Sequence, residues 1–369
     1  MAVEQRSAED RVDERERLAR LAPLSRALHR VTDVLRREDV RGQGVHIDPE
    51  EVGPPNRARW TRAHRSAVAS PEMEVFRAAL RPPGGGTERD GVLDDLAVHF
   101  GVSREEARRR CLHWESSSLE EWEAGARDTL DGVRDFYATT RSWAFDLQWY
   151  DYLQSTGHGF PKAVAIAHRL AVRPGTRVLD YGSGSGVTGQ LFAGLGAEVT
   201  LADLSRPLLE FARWRLDRRG VPAEYVQLPA ALPTAAFDLV TALDVFAHVH
   251  PDEIDATATA LRGTLREGGL LVTGFDVRRR SRTNAWHLWE DDLPLRWAVQ
   301  RAGFVPAELL DGSVWFYRAV PTTGWRWRLR RAGAWLHLAS PPARVLRAVR
   351  RAVAHAALRT AHRLLHLAP

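Results

Sequence analysis

The chain of 369 residues has one cysteine, Cys111, so no internal disulfide can form and nothing points to secretion. No stretch approaches the ~20 consecutive apolar residues that a membrane-spanning helix needs. The arginine-rich N-terminal segment also lacks an apolar run with a cleavage site, so a reducing cytoplasm is the expected compartment. There is no internal repeat, and no metal is expected. Acidic residues are missing after Asp311, whereas eleven of the 52 Lys and Arg residues follow it, so residues 1–311 carry 41 basic against 47 acidic groups. The positive excess belongs to the tail, and the main body is not marked out as a nucleic-acid binder. What is present is a globular balance, 44% hydrophobic and 27% charged, in a chain long enough for one large core and an accessory region.

Residues 1–86 read as a helical N-terminal region with linkers. Leu24, Leu28, Val31 and Leu35 recur at helical spacing after Pro23, and Gly and Pro gather in 41–59 and in Pro82-Pro83-Gly84-Gly85-Gly86. Residues 87–160 read as a helical cap subdomain rich in aromatics, among them Trp114, Trp122, Phe136, Tyr137, Trp143 and Trp149; the aromatics of 136–152, with Trp286 and Trp289, are expected in the core more than at an acceptor. From 161 to 320 short apolar runs alternate with helical stretches, as a parallel sheet with crossover helices requires. Strands are expected at 177–181, 198–202, 224–228, 237–243, 270–275, 306–310 and 314–320, the last two joined as a hairpin at Asp311-Gly312. Residues 321–369 read as a basic amphipathic tail of two helices divided at Pro341-Pro342.

The densest chemical signal is Val178-Leu179-Asp180-Tyr181-Gly182-Ser183-Gly184-Ser185-Gly186-Val187-Thr188-Gly189. A strand that runs through glycines into a helix lets backbone N–H groups approach a nucleotide-like ligand with no Cβ in the way. The run Gly184-x-Gly186-x-x-Gly189 formally satisfies the dinucleotide fingerprint, with Asp203 nineteen residues beyond Gly184. Asp180 argues against a dinucleotide, because a carboxylate at the strand end would face a pyrophosphate of the same sign. A ligand with an amino acid end and no phosphate removes that conflict.

At these residues the sequence resembles the class I S-adenosylmethionine-dependent methyltransferases, whose first motif has the form Val-Leu-Asp-x-Gly-x-Gly-x-Gly. The resemblance covers about residues 161–320 and extends, in order, to Val199–Ser205, Phe237–Val249, Leu265–Val272 and Ala302-Gly303-Phe304. It implies an α/β fold: a Rossmann-like seven-stranded methyltransferase sheet with a closing antiparallel hairpin, preceded by the helical N-terminal region and followed by the helical basic tail. It also implies S-adenosylmethionine as cofactor, held by Asp180, Gly182, Gly184, Gly186, Asp203, Leu204, Leu228 and Asp244, with Asp203 gripping both ribose hydroxyls. The family often places an Asp after the third strand to meet adenine; here Tyr225-Val226-Gln227-Leu228-Pro229 has none, which leaves backbone groups, Gln227 or Leu228 for that task.

Methyl transfer from a sulfonium is an in-line displacement, and a base is needed only for some acceptors. His248, just beyond the fourth strand, is the first candidate base, and His287, in the insert after the fifth strand, is the second; each has a structural alternative. The expected activity is O-methylation of a small-molecule acceptor. Two other partners are weighed. Residues 92–112 resemble a helix-turn-helix, with Gly101 in the turn and Ser103 capping a helix bearing Arg108, Arg109 and Arg110, but Glu105 and Glu106 stand where base-reading side chains belong. In the tail, Val345, Val349, Val353, Leu364 and Leu367 oppose Arg344, Arg347, Arg351, Arg359 and Arg363. Such a stripe suits an anionic membrane surface, with a quinone, lipid or lipid-linked sugar as acceptor and a peripheral location at the inner face, or else packing on protein.

Overall fold

The structure, a computed structural model, describes residues 46–125, 129–278 and 285–321, together with 324, 325, 327–329 and 332. The helix expected over Leu24–Leu35 and the two tail helices beyond 332 lie outside the described residues.

Nine helices precede the first strand in the described residues: α1 (Pro49–Val52), α2 (Arg62–Val68), α3 (Pro71–Leu80), α4 (Glu88–Phe100), α5 (Arg104–Leu112), α6 (Trp114–Ala124), α7 (Leu130–Thr139), α8 (Trp143–Ser155) and α9 (Lys162–Leu170). The Pro82–Gly86 run is a short turn between α3 and α4. The missing Cβ at Gly91 lets α4 pass against the Leu80 carbonyl at the end of α3. A capping box fixes the start of α4: Thr87 accepts from the Asp90 N–H, and Asp90 accepts from the Thr87 N–H. Gly101, at φ 65, ends the helix, and Ser103 caps α5 through the Glu106 N–H.

The sheet then forms from β1 (Arg177–Tyr181), β2 (Glu198–Asp203), β3 (Glu224–Gln227), β4 (Phe237–Leu243), β5 (Leu265–Gly274), β6 (Phe304–Leu310) and β7 (Val314–Ala319) in the order β3-β2-β1-β4-β5-β7-β6. β1 to β5 are parallel; β7 runs antiparallel to both β5 and β6. Asp311 and Gly312 both have positive φ, as an Asp-Gly hairpin turn requires. The observed β5 starts five residues before the expected strand. The chain pairs Leu265 with Phe237 across a register shift and carries Gly268 and Gly269 inside the strand.

Alternation along the strands splits the core. Val178, Leu239 and Val272 face one cluster with Phe76, Leu96, Trp149 and Phe211; Leu179, Val240 and Leu271 face the other with Ile254, Leu261 and Leu295. The first cluster joins the N-terminal helices to α10 (Val187–Gly194) and α11 (Arg206–Arg218); the second takes α12 (Ile254–Thr264) and α13 (Leu293–Arg301). Strand order reverses between β1 and β4, so a crevice opens at their carboxyl ends, the place where open α/β sheets take ligands.

The helix-turn-helix arginines are spoken for by acids of the same region. Arg108 pairs with Asp48 and Glu51, Arg104 with Asp90 and Asp94, and Arg109 and Arg110 with Glu106. Their charge is neutralised locally, which weakens the case for a phosphate-binding face. No helix of the described residues is long and apolar enough to cross a membrane.

Candidate active site

Three glycines of the loop after β1 have left-handed backbone: Gly182 at φ 68, Gly184 at φ 53 and Gly186 at φ 77. Side chains are excluded there twice over, by backbone strain and by space, since a Cβ on Gly184 would stand 2.6 Å from Leu147 Cδ1 and one on Gly182 would collide with Val245. The loop is thus pressed between α8 on one side and the turn after β4 on the other.

Helix α8 covers the loop. Trp143, Asp146, Leu147, Tyr150 and Asp151 are only partly buried, while Phe145, Gln148, Trp149, Tyr152 and Leu153 are buried. The partly buried positions follow i, i+3, i+4, i+7, i+8 and form one stripe. That stripe contains Leu147 over Gly184 and Asp151 beside Ser185, so this face of α8 roofs the glycine loop.

Asp180 lies under the loop. It is 3% exposed; Oδ1 accepts from the Thr241 hydroxyl at 2.7 Å and Oδ2 has no partner. Burial pushes its carboxyl up to about 7. Asp203, at the end of β2, accepts the Gly184 N–H on Oδ2 and the Ser205 N–H on Oδ1, each at 2.7 Å. A carboxylate offers about four lone-pair sites, so Asp203, which also takes a backbone hydrogen bond from Leu204, keeps capacity for a further donor. Leu204 packs against the aromatic cluster of Trp122, Phe136 and Tyr137. Leu228 is partly buried against the second core cluster, and the Gln227 amide donates to the carbonyls of Asp203 and Leu204, joining the ends of β2 and β3. Asp244, left-handed at φ 59, pairs with Lys162 at the start of α9.

The two histidines meet. His248 and His287 have ring centroids 4.7 Å apart, because the Leu288 N–H donates to the Ala247 carbonyl and the Trp289 indole donates to the Val249 carbonyl, fastening the insert to the turn after β4. His248 Nδ1 lies 3.3 Å from both the Trp286 carbonyl and the Tyr137 hydroxyl. Burial, and then the neighbouring His287, push its imidazole down to about 3, so it stays neutral at ordinary pH. His287 is 4% exposed; Nε2 lies 3.7 Å from Asp276 Oδ2, and Nδ1 has no protein partner. Burial alone would raise the Asp276 carboxyl, yet His287 and then Arg278, bonded at 2.6 Å, hold it well below the usual carboxylate range.

Sequence reasoning missed Asp276, Arg278, Lys162, Asp146 and Asp151. Asp276-x-Arg278 had a usable signal, its place directly after the fifth parallel strand; the others sit on helices with no local motif. His46 joins the same region from the far N-terminal side, bonding Asp146 at 2.7 Å. No group of His, Cys, Asp and Glu among the described residues could hold a metal ion. A groove of about 860 Å³ between α2, α9 and the β6–β7 hairpin contains none of these residues.

Asp151 supplies a test of this burial. It accepts from Gln154 and Ser185, yet burial pushes its carboxyl up to about 7. The folded chain therefore keeps a proton that the unfolded chain gives up near pH 4, and stability falls as pH rises from about 4 to about 7. Asp151→Asn should remove that loss, so its melting temperature should gain on the unaltered chain between pH 5 and pH 8; parallel curves would show that Asp151 ionises freely.

Comparison with known proteins follows this geometry. A family model described as a methyltransferase domain matches residues 178–269. Over 110 residues the chain is 38% identical to a ubiquinone biosynthesis O-methyltransferase of Xanthomonas campestris pv. campestris, a match spanning 29% of this chain and 45% of that protein. Over 215 residues it is 30% identical to the ribosomal protein L11 methyltransferase of Thermus thermophilus, covering 55% of this chain and 78% of that protein. Among solved structures, the 1,6-didemethyltoxoflavin-N1-methyltransferase of Burkholderia thailandensis aligns with 43% of this chain and 77% of its own at 24% identity, with a TM-score of 0.36.

Proposed function

The chain belongs to the class I S-adenosylmethionine-dependent methyltransferases, and on that premise we propose that it transfers the donor's methyl group to an oxygen of a small-molecule acceptor. The observation that carries the oxygen assignment is the Asp276–His287 pair after the fifth strand, a carboxylate 3.7 Å from an imidazole whose other nitrogen has no partner. A hydroxyl acceptor has a proton to lose, and a positioned imidazole can take it.

The residues present fit the donor. Gly182, Gly184 and Gly186 keep the loop in a left-handed path with no side chain between its backbone and a ligand, and Asp203, buried at the end of β2, retains lone-pair capacity for a ribose hydroxyl. When bound, S-adenosylmethionine supplies the electrophilic methyl on its sulfonium. The chain's own part is to align, shield and deprotonate. Leu147, packed over Gly184, covers one side of the loop. His287, with Nε2 3.7 Å from Asp276, is the proposed base, and in the tautomer protonated at Nε2 its Nδ1 would take the proton of the acceptor's hydroxyl. The proposed base is His287 rather than His248, because the latter's Nδ1 is engaged and burial depresses its basicity.

Calorimetry tests the donor assignment. S-adenosylmethionine should bind and NAD should not, and Asp203→Ala should weaken donor binding by about 10- to 100-fold, the worth of hydrogen bonds to a charged group. NAD binding without S-adenosylmethionine binding would reject the reading.

A further inference from the structure

The glycine loop has an anchor outside the loop itself. Resting on the donor assignment above, we propose that Arg215 is a positioning residue for donor binding: by holding the Ser185 carbonyl it keeps the loop in its ligand-binding shape, and it makes donor affinity depend on the N-terminal helices that hold Arg215.

Ser185 lies between Gly184 and Gly186, both left-handed, and is 3% exposed. With glycine on either side, the local backbone has few steric limits of its own, so partners must set its orientation. The Ser185 carbonyl accepts from Arg215 Nη1 at 2.9 Å. Because a trans peptide is planar, fixing that carbonyl also fixes the Gly186 N–H, which donates to the Ser183 carbonyl at 2.9 Å and closes the turn. The Ser185 hydroxyl faces Asp151 of α8 at 3.4 Å. Helix α11, which carries Arg215, packs against the loop, where a Cβ on Gly186 would stand 2.8 Å from Ala212 Cβ.

The guanidinium is fully buried, and each of its nitrogens has a protein acceptor. Nε meets Asp95 Oδ2 at 2.9 Å, Nη1 meets the Ser185 carbonyl, and Nη2 meets the Ala79 carbonyl at 3.1 Å. Asp95 lies on α4 and Ala79 on α3, so one planar fork joins two N-terminal helices to the loop. Arg219 pairs with the same Asp95 oxygen at 2.7 Å and donates to the Arg81 carbonyl at 3.0 Å, which holds the acid in place. Stability alone does not account for the arrangement, because apolar residues of similar volume often serve a core as well as a buried ion pair does. What apolar residues cannot do is direct a hydrogen bond at a loop carbonyl. All of these bonds exist without ligand, so the loop is ordered before the donor arrives and binding carries less ordering cost.

The test is calorimetric titration of the full chain with S-adenosylmethionine, at a temperature where circular dichroism shows every variant folded. Arg215→Lys keeps a cation beside Asp95 but cannot reach all three acceptors, and it should weaken binding by about 10- to 100-fold, the consequence of leaving a buried carbonyl without its donor. Phe76→Leu, a loss of packing in the same core cluster, is the stability control: with a comparable fall in urea midpoint it should keep its affinity within about twofold. Binding by Arg215→Lys as tight as that of the unaltered chain would overturn the proposal. So would an equal loss of affinity in Phe76→Leu, which would assign the effect to stability. Hydrogen exchange on the unaltered, ligand-free chain needs no variant: the Gly186 amide should be protected to within about tenfold of the Arg215 amide, and exchange at the rate of an exposed turn would also overturn the proposal. Failure of the unaltered chain to bind S-adenosylmethionine would instead reject the donor assignment.

Discussion

Replacing His287 by alanine should slow methyl transfer by about 10²- to 10⁴-fold, the usual contribution of a positioned acid–base group, with the affinity for S-adenosylmethionine unchanged. The experiment uses labelled donor and whichever small hydroxylated acceptor the unaltered chain methylates, following kcat and KM separately. Asp276→Asn should lower kcat as well, because an amide in place of the carboxylate no longer fixes the imidazole tautomer whose Nδ1 accepts the proton. Arg278, bonded to the same carboxylate oxygen, keeps Asp276 ionised and so supports the pair. Loss of activity in His248→Ala with full activity in His287→Ala would move the base to His248. Full activity in both would mean that the acceptor needs no base, and the oxygen assignment would lose its support.

The second large effect is on stability. Arg215 is 0% exposed and Asp95 1% exposed; Arg215 Nε donates to Asp95 at 2.9 Å, and Arg219 meets the same oxygen at 2.7 Å. The remaining Arg215 donors reach the Ser185 carbonyl in the glycine loop and the Ala79 carbonyl near the end of α3. One carboxylate thus balances two cations that join the N-terminal helices, α11 and the ligand cradle. Asp95→Ala removes the partner and leaves buried positive charge, which costs about 3–5 kcal/mol. Urea unfolding measures it. A change below about 1 kcal/mol, the range of exposed pairs, would show that water reaches the guanidinium groups.

Both results depend on contacts that bring distant segments together, and this is where the sequence stops being informative. Asp95 reads as one more acid on an amphipathic helix, and Arg215 as one more arginine in an arginine-rich chain; only packing makes them partners across 120 residues. His287 was a candidate from its place in the insert after the fifth strand. Its relation to Asp276 was not, since the two lie eleven positions apart in a stretch of sequence with no hydrophobic periodicity to place them. The aromatic density of α8 pointed to core, which is true of Trp149 and Phe145. The same helix also turns Trp143 toward Tyr137, His248 and Trp286 and Tyr150 toward His46, contacts set by which elements pack on each face.

The sequence by itself determined the sheet and the cradle. Alternating apolar strands, the Asp-Gly hairpin and the glycine loop are specified by contiguous residues whose backbone sterics and side-chain period act locally, so they can be read in order along the chain. Tertiary structure alone decided which charges face one another. His46 with Asp146, Lys162 with Asp244 and Asp276 with His287 come from separate elements. Electrostatic pairing depends on distance in space and on exclusion of water, and neither quantity is carried by sequence separation.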